Sequence, residues 1–238
     1  MMSRPVFTIF NKAILLLALW AVAKNAQVVA GFIPAPGAYE YTETTGHDSR
    51  RFVWTLEEGG DWILTSEDEQ ERHRAWLDRT LATRKWSLDR PAEKTAITAW
   101  REGTTLFIEG TRNGKEYRRE YQVGAYPWYQ ALSLSLRNHL GEIGSTQEFW
   151  LIRPDNLELN RLQISKITVE PLRTATTVLP SYRVVIRPSG WKAPFWKGEY
   201  WFRRGDAHFV RYRGDSGLPG APPTTVVPSG QVSLKIAD

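Results

Sequence analysis

The chain has 238 residues, 42% hydrophobic and 24% charged, the balance of a folded globular protein rather than a disordered one. It contains no cysteine, which excludes disulfides, thiolate metal sites, a cysteine nucleophile and the cysteine-linked anchor of a bacterial lipoprotein. The formal charge of +5 falls to +2 once residues 1–30 are set aside, because Arg4, Lys12 and Lys24 leave with no acid among them, and so net charge gives little support for a polyanionic partner.

Those first residues read as an export leader. Arg4 and Lys12 precede an apolar run from Ala13 to Ala23, and small residues follow at the spacing of a signal-peptidase site, Ala21-Val22-Ala23 or Val28-Val29-Ala30. Lys24, Asn25 and Gln27 cut the run short of the ~20 residues that a membrane-spanning helix needs, so the membrane is expected to be met only through this transient segment. Residues 31–238 are expected to form one β-rich domain, and a cysteine-free exported chain points to a Gram-negative periplasm.

From Gly31 to Ala38 the prolines and Gly37 predict an extended lead-in. Strands are predicted at Tyr39 to Thr45, Arg51 to Leu56 and Trp62 to Thr65, each alternating and each bounded by turn residues. Glu67 to Glu71 is acidic enough to open a helix, but Arg72 to Leu77 and Arg84 to Leu88 read at least as well as strands. Lys94 to Trp100 and Thr104 to Glu109 continue the meander. Within Thr111 to Tyr121, Asn113-Gly114 is the strongest short-range hairpin signal, since both residues accept the positive φ of a type I′ turn.

One helix is predicted. Pro127 suits its first turn, and Trp128, Leu132, Leu136 and Leu140 recur every fourth residue to give a single apolar stripe ending near Gly141. Strands return at Glu148 to Ile152, Leu157 to Glu170 and Tyr182 to Ile186. A hairpin then spans Lys197 to Arg213 with its loop at Gly205-Asp206, pairing Phe202 with Phe209, Trp201 with Val210 and Glu199 with Tyr212. Because aromatics occupy both of its faces, this hairpin is expected to be covered on both sides. The proline-rich tail, residues 215–230, is expected to be an irregular strap, and Val232 to Ile236 a last edge strand.

The expected fold is therefore mainly β: a curved antiparallel meander sheet or partial barrel with one amphipathic helix packed on it. Eleven tryptophans are its unusual ingredient. Trp54, Trp62, Trp76, Trp86 and Trp100 fall in successive strands, with Trp150 and Trp201 further on; they are either core plugs or, if they share one face, an aromatic floor for a ligand.

Chemical motifs are weak. Gly214-Asp215-Ser216-Gly217 spells a serine-protease nucleophile turn, but no matching histidine motif or cysteines accompany it. Arg204-Gly205-Asp206 is explained by a hairpin tip. The four histidines, His47, His73, His139 and His208, have no metal-ligand spacing, and no metal or cofactor is expected. Glu57-Glu58 and Glu67-Asp68-Glu69 sit in turn-like, solvated contexts. Arg84-Lys85-Trp86 and Trp201-Phe202-Arg203-Arg204 would suit single-stranded nucleic acid, but export argues against such a partner.

Pro127-Trp128-Tyr129-Gln130, Glu148-Phe149-Trp150-Leu151-Ile152-Arg153-Pro154-Asp155, Tyr200-Trp201-Phe202-Arg203-Arg204, Arg211-Tyr212 and Gly217-Leu218-Pro219-Gly220 together resemble exported bacterial proteins related to the domain-of-unknown-function 3108 group, over roughly the C-terminal half. The resemblance implies a β-rich periplasmic domain with no established activity, and carries over no catalytic residue. The leading expectation is a non-enzymatic envelope protein that holds an apolar or amphipathic ligand on a concave sheet. The alternatives are a module that docks an envelope protein, or a cofactor-free enzyme with a buried carboxylate.

Overall fold

The structure, a computed structural model, describes residues 35–174, 177–190, 193, 196–214 and 222–229. Eight strands come first: β1 (Gly37–Thr45), β2 (Asp48–Glu58), β3 (Trp62–Glu67), β4 (Arg72–Leu77), β5 (Thr83–Arg90), β6 (Thr95–Glu102), β7 (Thr105–Arg112) and β8 (Lys115–Gln122). After a helical segment come β9 (Gln147–Ile152), β10 (Leu159–Arg173), β11 (Val178–Pro188), β12 (Gly198–Arg203), β13 (Phe209–Gly214) and β14 (Thr224–Pro228).

All fourteen join one antiparallel sheet, in the order β8-β7-β6-β5-β4-β3-β2-β1-β14-β13-β12-β11-β10-β9. Two meanders thus run outward from a central seam where β14, near the end of the chain, lies beside β1. The β7–β8 turn is where the dipeptide placed it: Asn113 has φ 52° and Gly114 φ 75°, and Arg112 pairs with Lys115. Strand pairing slips by one residue between β4 and β5, between β10 and β11, and between β12 and β13. Such bulges add twist and bend a wide sheet.

The inner face holds two apolar clusters. One is built by β2–β8 from Leu56, Leu64, Leu77, Trp86, Leu88, Ile97, Leu106 and Ile108. The other, contributed by β1 and β9–β14, contains Tyr41, Phe149, Ile164, Ile167, Val184, Phe202 and Phe209. Tyr39 and Trp54 touch both, so the sheet has a continuous interior.

The predicted helix is much shorter than its stripe. Only Leu132–Ser135 (α1) is α-helical, followed by a 3-10 turn, Leu136–His139. The backbone before it is spent elsewhere: the Trp150 amide donates to the Pro127 carbonyl, Tyr129 donates to the Trp150 carbonyl, and Thr83 donates to the Trp128 carbonyl. Residues 127–129 are held extended between β9 and the start of β5, and groups bonded this way cannot form helical i to i−4 bonds. The apolar stripe is nonetheless buried. Trp128, Ala131 and Leu134 enter the first cluster, whereas Tyr129, Leu136 and Leu140 enter the second.

Two other expectations change. In the tail, Thr224–Pro228 is a strand between β1 and β13, while residues 215–221, 230 and the edge strand expected at 232–236 lie outside the described residues, as does the leader. In the hairpin, Phe202 does pair with Phe209, but Trp201 pairs with Arg211 and Glu199 with Arg213, because a bulge at Val210 moves the register by one. Glu67 to Glu71 is the end of β3 and a turn.

Candidate functional site

The inner faces of the two meanders leave a cavity of about 440 Å³ between them, within the usual size of small-molecule pockets. Its apolar wall comes from Phe52 and Trp54 on β2, Leu64 on β3, Ala75 on β4, Trp86 on β5, Tyr200 on β12, Phe209 and Tyr212 on β13 and Val226 on β14. Gln130, Ala131, Leu132 and Ser133 of the helical segment form the facing side.

The aromatic part of this wall is a connected layer across the seam. Trp54 lies 4.3 Å from Tyr41 and 5.2 Å from Phe209, centroid to centroid, and Tyr200 lies 4.8 Å from Tyr212. Tilted rings at these separations gain electrostatic contact beyond the area they bury. Paired glycines make room for it. Gly198 and Gly214 face each other across β12 and β13, and a Cβ on Gly214 would lie 1.9 Å from the Tyr212 hydroxyl.

The rest of the lining is an ion network. Arg50 Nε lies 3.1 Å from Glu43, and its Nη1 lies 3.0 Å from Asp68 and 3.1 Å from Glu71. Arg90 Nε lies 2.6 Å from the other Glu71 oxygen, and Arg90 Nη1 donates to the Pro154 carbonyl at 3.0 Å. His73 Nε2 is 3.3 Å from Glu71. Hydrogen bonding from His73, reinforced by Arg90, holds the Glu71 carboxyl far below the usual carboxylate range despite its partial burial. Burial opposes the charge on Arg50, but Glu43 and Glu71 outweigh it and raise the guanidinium. Asp68, expected in a solvated turn, has a side chain only 8% exposed and accepts from the amides of Gln70 and Glu71.

The seven tryptophans do not share a face. Trp54 and Trp86 line the cavity. Trp62 packs against the first cluster without lining the cavity, and so does Trp150, whose Nε1 donates to the Val123 carbonyl at 2.8 Å. Trp76 and Trp100 alternate to the opposite side of the sheet. There Arg74 and Lys85 each sit 5.0 Å over the Trp76 ring, and Trp100 stacks on Phe107 at 5.3 Å. Trp201 is on the outer side too, in a small cluster with Leu172 and Val210, its Nε1 donating to Glu170 at 2.9 Å. The tyrosines and phenylalanines of the wall were not offered as site residues by sequence reasoning, although Phe209 and Tyr212 were placed in the Lys197 to Arg213 hairpin, and the Glu43–Arg50–Glu71–Arg90 network was not foreseen. Their only early sign was the alternation that puts Phe52 with Trp54 and Tyr200 with Phe202 on common faces.

Comparison with known proteins adds a fold relative. No family model and no curated protein matches the chain. Among solved structures it is similar to a β-barrel-like protein of domain of unknown function DUF1849 from Brucella abortus, with a TM-score of 0.54 and 11% identity over 87% of this chain and 99% of that one. A protein from Parabacteroides distasonis described as a "putative lipoprotein" aligns with a TM-score of 0.32 and 9% identity over 83% and 95% of the two chains. At such identities the first likeness shows one thing, a mainly antiparallel, barrel-like sheet that does not close.

Proposed function

We propose that this is a non-enzymatic envelope protein whose inner cavity holds the apolar part of a hydrophobic or amphipathic ligand. The observation that carries the reading is the cavity itself: an aromatic layer centred on Trp54, Tyr200 and Tyr212 that the helical segment leaves partly uncovered. An apolar concave surface of this size is stabilised by whatever excludes water from it. The leader read from the sequence at residues 1–30 supports an exported location. In the ion network every nitrogen of Arg50 is bonded to a carboxylate, so no free guanidinium there waits for a substrate anion, and the carboxylates are engaged as ion-pair partners rather than set apart as an acid and a base.

The test is displacement of a neutral environment-sensitive dye, together with solvent extraction of the purified protein. Ala75 is almost fully buried on the cavity wall, and Ala75→Phe fills the space beside Trp86. Dye binding is expected to weaken about ten-fold or more in this variant, with the fold retained by circular dichroism. Absence of both dye binding and extractable lipid in the wild-type protein would sink the proposal.

A further inference from the structure

The outer face of β10–β13 carries charge that the cavity does not explain. Strand register puts Arg183, Trp201 and Arg211 in one row, and Val185, Glu199 and Arg213 in the next, with Lys166 opposite Val185. Lys197 reaches the same face, its Nζ 3.5 Å from Glu199. Around Trp201 these five cations therefore stand among two carboxylates, Glu170 and Glu199, while Arg203 at the end of β12 is paired with Asp206. Arg183 is bonded to both acids. Lys166, Arg211 and Arg213 have no ion pair among the described residues.

Arg211 is the informative one. Its guanidinium stacks on the Trp201 ring at 5.3 Å, with Arg183 on the same ring at 5.6 Å, and its Nε is buried without a hydrogen-bond partner. Burial, followed by the neighbouring Arg213, pushes the Arg211 guanidinium below its ordinary range. Arg211 and Arg213, neighbouring guanidinium groups with no ion pair among the described residues, are stabilised by an incoming anion, and the planar fork of arginine matches phosphate oxygens in particular. The apolar residues at the centre of this face, Trp201, Val210 and Leu172, are buried. They offer no protruding anchor of the kind that dominates protein–protein interfaces, which leaves a broad electrostatic surface.

We infer that the outer face of β10–β13 docks on the phosphate-bearing head groups of an anionic lipid bilayer. Counting charges along the chain hides this face, because the cations around Trp201 come from three strands and from Lys197 just before β12, and are balanced by acids elsewhere.

Vesicle flotation tests it, with the full chain and vesicles of phosphatidylcholine alone or mixed with phosphatidylglycerol. Residues 1–34 are the same in every sample, so only differences between variants are read. Arg211→Glu/Arg213→Glu is expected to weaken binding to the mixed vesicles by at least about ten-fold, given ~1 kcal/mol per basic residue at an anionic surface. Arg211→Lys/Arg213→Lys should retain most of the binding, and Arg118→Glu/Arg119→Glu on β8, outside the β10–β13 face, should leave it unchanged despite an equal change in net charge. Arg213→Glu alone, at a residue with no described side-chain partner, gives the same direction of change if the double variant fails to fold. Equal loss in the β8 variant, or no preference for phosphatidylglycerol, overturns the inference. Saturable binding of inorganic phosphate without vesicle binding also overturns it, in favour of a soluble anion site.

Discussion

The two halves of the sheet are built on different rules. Strands β2–β8 bury a single inner face, aliphatic side chains with Trp54, Trp62 and Trp86 among them, whereas β9–β14 bury an inner face and a second small cluster, Leu172, Trp201 and Val210, outside. One-sided burial needs only alternation. Two-sided burial needs bulges and glycines to seat large rings, and β12–β13 have both: the register shift at Val210 and the Gly198/Gly214 pair. The cavity lies where these two modes of packing meet, its wall taken from β2–β5 on one side and β12–β14 on the other.

That contrast can be broken first at Trp86, which is 1% exposed. Trp86→Ala is expected to cost about 3–5 kcal/mol in urea unfolding. In the other half, Gly214→Ala drives a methyl into the Tyr212 phenol and should cost roughly 1–3 kcal/mol while narrowing the cavity, so dye affinity should fall alongside stability. Trp76→Ala sharpens the comparison from the outer side. This ring is half-exposed and held by Arg74 and Lys85, and its loss should cost about 1 kcal/mol, mostly lost cation–π contact. A cost for Trp76 equal to that for Trp86 would mean that the outer face is covered by something else.

The smallest effect is electrostatic. The folded-state pKa of Glu71 is depressed from its ordinary 4.5, so its pairing with His73, Arg50 and Arg90 contributes fully above about pH 4.5 and is withdrawn as pH falls below it. Glu71→Gln should flatten the acid limb of a stability–pH curve and lower stability at neutral pH. An unchanged acid limb would show that solvent already screens the network.

Much of the first half was legible in the sequence, since alternation and turn residues mark strands even when nothing is known of their neighbours. Arg72 to Leu77 is a strand with those very limits, and Asn113-Gly114 turns where predicted. What could not be read depends on register between strands distant in sequence. Trp76 and Trp86 look alike in the chain, yet lie on opposite faces because their partners, Lys85 and Ala75, do. The Trp128 to Leu140 stripe has helical spacing, but hydrogen bonds from Trp150 and Thr83 claim its first turn. Thr224–Pro228 was masked by flanking prolines; Pro228, the last residue of β14, needs no ladder donor there. For the candidate site, sequence supplied two of its rings, Trp54 and Trp86, but not the fold that brings Tyr200 and Tyr212 to meet them.

The single bridge between Trp128 and Trp150 has a mechanical consequence. Residues 123–130 follow β8 and lie against β9, so the two ends of the sheet are fastened by a short clasp that includes the Pro127–Trp150 and Trp150–Tyr129 bonds and the Trp150 indole on Val123. Releasing that clasp, together with the Gln130–Ile152 bonds beside it, would part the two ends of the sheet without breaking any strand pair, and the interior space would widen by degrees rather than through a hinged door. Amide exchange at Tyr129 and Trp150 would then run ahead of exchange in β5 and β11 and slow when the interior is occupied.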